Sequence, residues 1–243
     1  MQLIKLSATD STNAYLKELM TSNNPADFTV IMAHTQLKGR GQMGTSWLSE
    51  PGKNLTFSVL IRPQGVEVAD QFLLNIFVSL ALYKTLSQLQ IPDLKIKWPN
   101  DIMSGQSKIC GILIENILTG QHIQASIVGI GLNVNQLAFN NLPNVSSLKL
   151  LLGRTFDLEE LLVSIVENLK GLIGKNGEAE QENLFSLYET KLFRKDKPST
   201  FIDQNNEMFM GFIKGVSSSG KLKILMEDNV LQEFNLKEVK LLY

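Results

Sequence analysis

Two basic side chains lie where the surrounding sequence would let them stabilise negative charge. Arg40 lies between Gly39 and Gly41, and glycines allow a backbone to approach an anion closely. Lys108 immediately precedes the apolar run 109–114, which places an ammonium group at the mouth of an expected strand. A guanidinium fork and an ammonium group both suit phosphate or carboxylate recognition. The sequence therefore predicts an anion-binding site.

Small or polar residues also interrupt or end the expected strands. The segment 97–101 (Lys-Trp-Pro-Asn-Asp) follows a short alternating strand, and its proline ends the hydrogen-bond ladder. Gly111 lies inside an apolar strand, which indicates close approach by a ligand, and 129–135 closes another strand with glycine and asparagine residues. Plainer roles stay open, namely helix caps at Ser11 and Thr12 and a β-bulge at the glycines.

The glycine-rich segment 39–44 matches the spacing of a dinucleotide-binding fingerprint, but its context does not fit one. That fingerprint needs the N-terminus of a helix directly after it, whereas Trp47, Pro51 and Gly52 follow here. Thr45 stands where a phosphate-binding loop requires lysine. We interpret 39–44 as a loop that holds an anion through its arginine.

Composition and charge exclude several classes of protein. The chain has 243 residues, 44% of them hydrophobic and 19% charged, which is enough for a sizeable core. Its 23 basic residues nearly balance 24 acidic ones, so it lacks the positive field of a non-specific nucleic-acid binder. Cys110 is the single cysteine, and two histidines accompany it; these form neither an internal disulfide nor a Cys/His zinc cluster. Because no apolar run is long enough to cross a bilayer, we expect a cytoplasmic protein without DNA or membrane partners.

The periodicity of apolar residues predicts an α+β fold in which helices pack on a mixed β-sheet. Helices are expected from about residue 12, over 68–89, over 158–172 and, after a Gly/Asn/Lys turn, over 184–192. Strands are expected over 28–34, 55–61, 94–98, 109–114 and 123–130, and the alternation in 55–61 predicts a half-buried strand. From 195 onward, short β-like runs predict a small all-β module. We therefore expect a catalytic domain over 1–194 and a β domain over 195–243.

Taken in order, five segments closely resemble the biotin protein ligases. They are 10–13 (Asp-Ser-Thr-Asn), 39–44 with Trp47, 97–101, 108–111 (Lys-Ile-Cys-Gly) and 131–133 (Gly-Leu-Asn). The resemblance is strong from residue 10 to about 150. It implies a catalytic domain like those of class II aminoacyl-tRNA synthetases and, at the C-terminus, an SH3-like β-barrel.

The resemblance also implies an activity and its residues. Such an enzyme joins the biotin carboxylate to ATP, releases pyrophosphate, and passes biotin from biotinyl-5′-adenylate to a lysine of a biotin carboxyl carrier domain of a carboxylase. Lys108 and Arg40 would be catalytic. The implied biotin-binding residues are Ser11, Thr12, Asn13, Gln36, Gly39, Arg40, Gly41, Gln42, Lys108 and Gly111. The implied ATP- and adenylate-binding residues are Arg40, Gly41, Gln42, Trp47, Asn100, Asp101, Lys108 and Asn133. Mg²⁺ would bridge the triphosphate oxygens, with Asp101 helping indirectly.

Departures and alternatives accompany this resemblance. Many relatives carry arginine where this chain has Gln42 and Thr45, so its loop is less basic. A lipoate or octanoate ligase would use the same adenylation chemistry, but those enzymes share an Arg-Arg-x-x-Gly-Gly-Gly stretch that this sequence lacks. A non-catalytic biotin- or nucleotide-binding regulator would be expected to lose Arg40 or Lys108. Since only nine residues precede Asp10, we expect the form without a DNA-binding domain, as a monomer or weak homodimer.

Overall fold

The structure, a computed structural model, describes residues 1–139, 142–173 and 178–243. Its helices are α1 (Thr12–Ser22), α2 (Phe72–Gln88), α3 (Leu148–Leu152), α4 (Leu158–Ile173) and α5 (Glu178–Thr190). Seven strands form one sheet: β1 (Gln2–Thr9), β2 (Thr29–Gln36), β3 (Leu55–Ile61), β4 (Leu94–Lys97), β5 (Asp101–Ser104), β6 (Ser107–Thr119) and β7 (His122–Leu132). Five strands form another: β8 (Pro198–Asp203), β9 (Met208–Val216), β10 (Leu222–Met226), β11 (Leu231–Phe234) and β12 (Val239–Leu242). The predicted Gly/Asn/Lys turn between α4 and α5 falls on 174–177, outside the described residues.

The first sheet is mixed, with strand order β1-β2-β3-β7-β6-β5-β4. Strands β1 and β2 pair in parallel, because α1 carries the chain back to the starting edge between them. The remaining neighbours pair antiparallel. The predicted α+β class is confirmed.

Helices cover both faces of this sheet. On one face α2 packs with α4 and α5, and apolar residues surround α2 on most sides, as predicted for 68–89. The α-helix itself begins only at Phe72, after a 3₁₀ turn at Val68–Asp70. On the opposite face α1 buries Leu16 against Ile31 and Leu60. The sheet therefore has a largely apolar side under α2 and a second side that α1 covers only in part.

Strand β3 differs from the prediction for 55–61. All seven of its residues are buried, so it is not half-buried. Leu55, Phe57, Val59 and Ile61 face α2, while Ser58 lies with Leu60 on the face of α1, where the Ser58 hydroxyl hydrogen-bonds to side chains of that helix. The polar half of the alternation thus faces a buried polar site rather than solvent, and period-two patterning cannot distinguish these two environments.

The C-terminal strands form an antiparallel sheet of order β11-β10-β9-β8-β12. Strands β11 and β12 are its two edges, so the predicted SH3-like barrel is an open five-stranded sheet here. A turn over 217–221 joins β9 to β10. The indole N–H of Trp98 donates to the Gly220 carbonyl at 2.9 Å, which ties this turn to the end of β4.

Four elements lie outside the predicted set: β1, β5, β12 and α3. Strand β5 is four residues long and begins inside the Trp-Pro-Asn-Asp segment, so its alternation is too short to recognise. Helix α3 has five residues, which is little more than one turn. Within the described part of the chain, no helix is long and apolar enough to span a bilayer.

Candidate active site

A cavity of about 600 Å³ lies on the side of the sheet that α1 covers only in part. The N-terminus of α1, the loop between β2 and β3, the β4–β5 turn and the second sheet surround it. Predicted site residues that line it are Ser11, Thr12, Asn13, Gln36, Arg40, Gly41, Gln42, Trp47, Asn100, Asp101, Lys108 and Gly111. Five separate sequence segments therefore meet at one place.

The floor of the cavity consists of alternate residues of two central strands. Strand β6 contributes Gly111 and Leu113, and β7 contributes Gly129 and Gly131. Because side chains alternate between the faces of a strand, these residues share one face, while their neighbours pack into the core under α2. A side chain at either glycine of β7 would collide with another residue of the site, Asn13 at Gly129 and the Trp47 indole at Gly131. These glycines make room for site residues, and a β-bulge is not their role.

One end of the cavity is a closed hydrogen-bonded network at the start of α1. Ser11 is the N-cap of α1, and its hydroxyl accepts the N–H of Ala14 at 3.5 Å. The Gln36 amide oxygen accepts from the backbone N–H of Thr12 at 2.9 Å and from its hydroxyl at 3.2 Å. Ser11, Thr12 and Asn13 are each at most 4% exposed. Ser11 alone is therefore the helix cap, whereas the Thr12 hydroxyl, also interpreted as a possible cap, contacts Gln36 and Ser58 instead.

The loop between β2 and β3 folds over the cavity. The N–H of Trp47 donates to the Gly39 carbonyl at 2.9 Å, and the N–H of Gly41 donates to the Thr45 carbonyl at 2.7 Å. These bonds close 39–47 into a small antiparallel loop with one 3₁₀ turn at Gln42–Gly44, and no α-helix follows, as the sequence predicts. The Trp47 indole lies against Gly131, and its buried N–H has no hydrogen-bond partner among the described residues. This leaves an indole donor inside the site.

The other end of the cavity carries the charged groups. The ammonium nitrogen of Lys108 lies 2.6 Å from a carboxylate oxygen of Asp101 and 5.7 Å from the centre of the Trp47 ring. Asn100 holds the β4–β5 turn against β6, because its amide donates to the Ile112 carbonyl at 2.7 Å. Arg40 lies exposed in the loop above. A cation, its counter-ion and a guanidinium are therefore held around one space.

Two predicted residues lie behind the lining. Gly39 is buried, and any side chain there would collide with the Gln36 amide and the Trp47 backbone. The Asn133 side chain is 2% exposed and donates to the Ser146 carbonyl at 3.1 Å, while its backbone N–H donates to Ile109. Both residues thus support the geometry of their neighbours and do not face the cavity.

Several lining residues were not predicted from the sequence. Thr56 and Leu113 belong to strand interiors, and their ordinary sequence context gives no signal. Lys97, the first residue of the segment 97–101, and Lys240 from β12 add two further ammonium groups. Lys97 donates to the Tyr243 hydroxyl at 3.2 Å. The contribution of β12 could not be predicted, because it depends on how the second sheet packs.

The thiol of Cys110 faces away from this chemistry. It is fully buried in the core, and burial raises its pKa, while the nearby Lys108 opposes that rise. A thiol that stays protonated is a poor nucleophile. Cys110 is therefore no candidate nucleophile, and the cations and hydrogen-bonding groups of the cavity are the candidates for chemistry.

The donor set fits a magnesium ion held mainly by substrate. In residues 1–139, 142–173 and 178–243, no three His, Cys, Asp or Glu side chains are grouped as a metal site. Mg²⁺ usually keeps several waters and binds one or two carboxylates together with substrate phosphates. Asp101, beside Lys108, is a carboxylate in the right part of the cavity.

The sequence model of the biotin/lipoate A/B protein ligase family matches residues 6–133, more than half of the chain. The chain belongs to this family. Among curated members, the biotin–[acetyl-CoA-carboxylase] ligase of Paracoccus denitrificans is 37% identical over 131 residues, which cover 53% of each chain. The bifunctional ligase/repressor BirA of Escherichia coli is 28% identical over 240 residues, 96% of this chain and 71% of BirA. This biotin/lipoate ligase family member thus spans about half of the Paracoccus enzyme.

Among solved structures, a biotin protein ligase from Aquifex aeolicus in complex with biotin and ATP is similar over the whole chain. It superposes with a TM-score of 0.82 at 29% identity, covering 99% of this chain and 98% of that one. The similarity extends beyond residue 133 and includes the second sheet of this family member. The resemblance inferred from its five sequence segments is confirmed at the level of the family.

Proposed function

We propose that this chain is an ATP-dependent biotin protein ligase. It activates biotin to biotinyl-5′-adenylate and then transfers biotin to a lysine of a biotin carboxyl carrier domain. One observation carries the proposal: a single cavity joins a closed polar network at Thr12 and Gln36 to the cation pair Arg40 and Lys108. The named ligands of the Aquifex structure, biotin and ATP, support the same activity.

The closed polar end favours the bicyclic ring of biotin over the linear apolar chain of octanoate or lipoate. A ureido ring offers two N–H donors and a carbonyl acceptor, and these must be paired when they are buried. Thr12, Asn13 and Gln36 supply complementary donors and acceptors. Thr12 and Asn13 are at most 4% exposed, and Gln36 is half-buried. An apolar acid would leave this network unpaired, which costs about 1–3 kcal/mol per group. The lipoate ligase alternative is therefore disfavoured.

In the first step, a carboxylate oxygen of biotin attacks the α-phosphorus of ATP. The bond from the α-phosphorus to its bridging oxygen breaks, and pyrophosphate leaves with that electron pair. Two anions must approach each other, so positive charge has to be present where negative charge accumulates. We assign this role to Lys108, which Asp101 holds in place, and to Arg40 in the loop. Mg²⁺, when bound to the triphosphate, neutralises part of its charge.

In the second step, the ε-amine of the acceptor lysine attacks the acyl carbon. The acyl–oxygen bond breaks, AMP leaves, and the amine loses a proton. Before that step the adenylate must be kept from water, since a mixed anhydride hydrolyses readily. The loop that carries Arg40 and Trp47 covers the cavity. We propose that it shields the intermediate and that the indole N–H of Trp47 donates to the bound ligand.

The loop lacks basic residues at Gln42 and Thr45, and we propose that charge from elsewhere compensates. Lys97 and Lys240 line the cavity and lie at its junction with a second cavity of about 450 Å³ beneath the C-terminal sheet. The β- and γ-phosphates of ATP extend away from the reacting α-phosphate. We propose that these two ammonium groups bind the outer phosphates.

The remaining expectations stay proposals. We propose a catalytic domain over 1–194 and a β domain over 195–243, which the turn between α5 and β8 supports. The acceptor is the carrier domain of a carboxylase, in keeping with the acetyl-CoA carboxylase named for the Paracoccus relative. We propose a cytoplasmic enzyme, either a monomer or a weak homodimer, that does not bind DNA.

One assay tests the proposal. The protein is incubated with ATP, Mg²⁺ and either biotin, lipoate or octanoate, and exchange of labelled pyrophosphate into ATP is followed. We expect exchange with biotin and none above background with the other acids. Exchange with lipoate or octanoate alone, or with no acid, would contradict the proposed function. Transfer is then followed with an isolated carrier domain and with the same domain lacking its acceptor lysine.

A further inference from the structure

Glu115 contacts the polar end of the cavity from behind. Its carboxylate lies on β6, and the Asn13 amide nitrogen donates to it at 2.7 Å and to the Leu113 carbonyl at 3.3 Å. A carboxylate and a carbonyl can only accept hydrogen bonds. The NH₂ group of Asn13 must therefore point to β6, and its oxygen must point towards β3. The absence of a side chain at Gly129 leaves the room that this oxygen occupies.

The fixed Asn13 oxygen determines where the proton of Ser58 goes. The Ser58 hydroxyl is fully buried and lies 2.6 Å from the Asn13 oxygen and 2.7 Å from the Thr12 hydroxyl oxygen. A serine has one proton to donate, and the Asn13 oxygen has none. The Ser58 proton therefore goes to Asn13, and Ser58 becomes an acceptor towards Thr12.

The donor–acceptor order of these hydrogen bonds then determines which groups Thr12 and Gln36 offer to a ligand. Two oxygens lie near the Thr12 hydroxyl, that of Ser58 at 2.7 Å and that of Gln36 at 3.2 Å. Because the Ser58 proton is given to Asn13, we infer that the shorter contact holds the Thr12 proton towards Ser58, which leaves a Thr12 lone pair for the cavity. Gln36 uses its oxygen for Thr12, which leaves its NH₂ group as a donor. An acceptor at Thr12 beside a donor at Gln36 matches an N–H next to a carbonyl.

We propose that Glu115 is a positioning residue that sets the direction of this hydrogen-bond chain and thereby makes Thr12 an acceptor for a ureido N–H. This inference rests on the proposed function, because it concerns how the same site recognises biotin. Without the carboxylate, the Asn13 amide can turn over and offer its NH₂ group to Ser58. Ser58 can then donate to Thr12, and Thr12 can turn its own proton to the ligand. The site then accepts a ligand that has an acceptor atom in place of that N–H.

The test compares biotin with its two cyclic carbamate analogues, in each of which one ureido N–H is replaced by a ring oxygen of similar size. Affinities of the wild type, Glu115→Gln and Ser58→Ala are measured by titration calorimetry. In the wild type we expect one carbamate to bind about 10- to 100-fold more weakly than biotin, the loss typical of an unpaired buried acceptor. In both variants we expect this ratio to fall below about fivefold. General loosening of the pocket would weaken all ligands together and leave the ratio unchanged.

Glu18→Gln is the matched control, because Glu18 lies on α1, borders the same shallow surface groove as Glu115 and takes no part in the network. It should keep the wild-type ratio. Failure of the wild type to bind biotin would contradict the proposed function itself. Binding of biotin without discrimination against either carbamate, or full discrimination retained in a folded Glu115→Gln or Ser58→Ala variant, would overturn the role of Glu115.

Discussion

The ammonium nitrogen of Lys108 lies 2.6 Å from a carboxylate oxygen of Asp101, and the pair is only partly exposed, at 31% and 17%. Lys108 belongs to β6 and Asp101 to β5, neighbouring strands that pair antiparallel. The register of the sheet thus brings together two residues that the sequence segments 97–101 and 108–111 supply separately. The carboxylate limits the positions that the flexible lysine can occupy, so the cation is held where a phosphate would meet it.

The first prediction concerns this cation. Lys108→Ala should lower the rate of biotin-dependent pyrophosphate exchange by about 10²- to 10³-fold, the loss typical of removing one group that stabilises developing charge. Lys95→Ala is the matched control, because Lys95 lies on β4 outside the cavity lining. Near-normal exchange by a folded Lys108→Ala protein would exclude the catalytic role of this lysine.

The second prediction concerns the polar end. Thr12→Val keeps the shape of the side chain but removes a hydroxyl that contacts Gln36 and Ser58. We expect biotin affinity, measured by calorimetry, to fall by about 10- to 100-fold, since a buried polar group left unpaired costs about 1–3 kcal/mol. Thr21→Val, at the exposed end of the same helix, should bind biotin normally. Equal affinities for the two variants would refute the assignment.

The sequence predicted the parts of the site that depend on local rules. Thr12 follows a helix cap, and the glycine-rich composition around Arg40 is enough to predict an irregular loop there. Residues that depend on tertiary packing were missed or given other roles. Gly129 and Gly131 were left open as a bulge, whereas they make room for Asn13 and Trp47. The polar residues of β3 were assigned to solvent, because alternation shows that two faces differ without showing what covers each one.

The third prediction tests the contribution of the second sheet. Lys240 lies on β12, far along the chain from the rest of the site, yet it lines the same cavity. Lys240→Ala should raise the KM for ATP about three- to tenfold and leave biotin affinity unchanged, because an exposed charge contributes about 1 kcal/mol. The rise should shrink at high salt, where exposed charges are screened. Lys223→Ala, on β10 and outside both cavity linings, is the control. An unchanged KM for ATP would show that Lys240 does not contribute to ATP binding.

The fourth prediction concerns the contact between Trp47 and Gly131. A methyl group at Gly131 would collide with the indole, so Gly131→Ala should displace the loop and lower the free energy of unfolding by about 1–3 kcal/mol. The displaced indole should also shift its fluorescence emission to longer wavelength, measured in a Trp98→Phe background. Gly171→Ala, in α4 with open space around it, should stabilise the protein by about 0.5–1 kcal/mol. An unshifted emission would show that the contact does not hold the loop.

The last prediction concerns Tyr188, whose ring packs edge-to-face on Phe72 with the centroids 5.8 Å apart. Its hydroxyl is buried without a hydrogen-bond partner among the described residues, which costs about 1–3 kcal/mol. Tyr188→Phe should therefore raise the free energy of unfolding.

Burial, aided by Glu189, raises the pKa of Tyr188 in the folded state. In the unfolded chain a tyrosine ionises near its ordinary pKa of about 10. Above that pH the unfolded state binds fewer protons than the folded state, so the wild type loses stability by up to about 1.4 kcal/mol per pH unit. The phenylalanine variant lacks this loss, and urea unfolding between pH 8 and 11 should show the gap between the two proteins widening above pH ~10. Tyr83→Phe, with a half-buried ring on α2, controls for removal of a tyrosine hydroxyl. A gap that stays constant with pH would mean that the Tyr188 hydroxyl reaches solvent or a partner in solution.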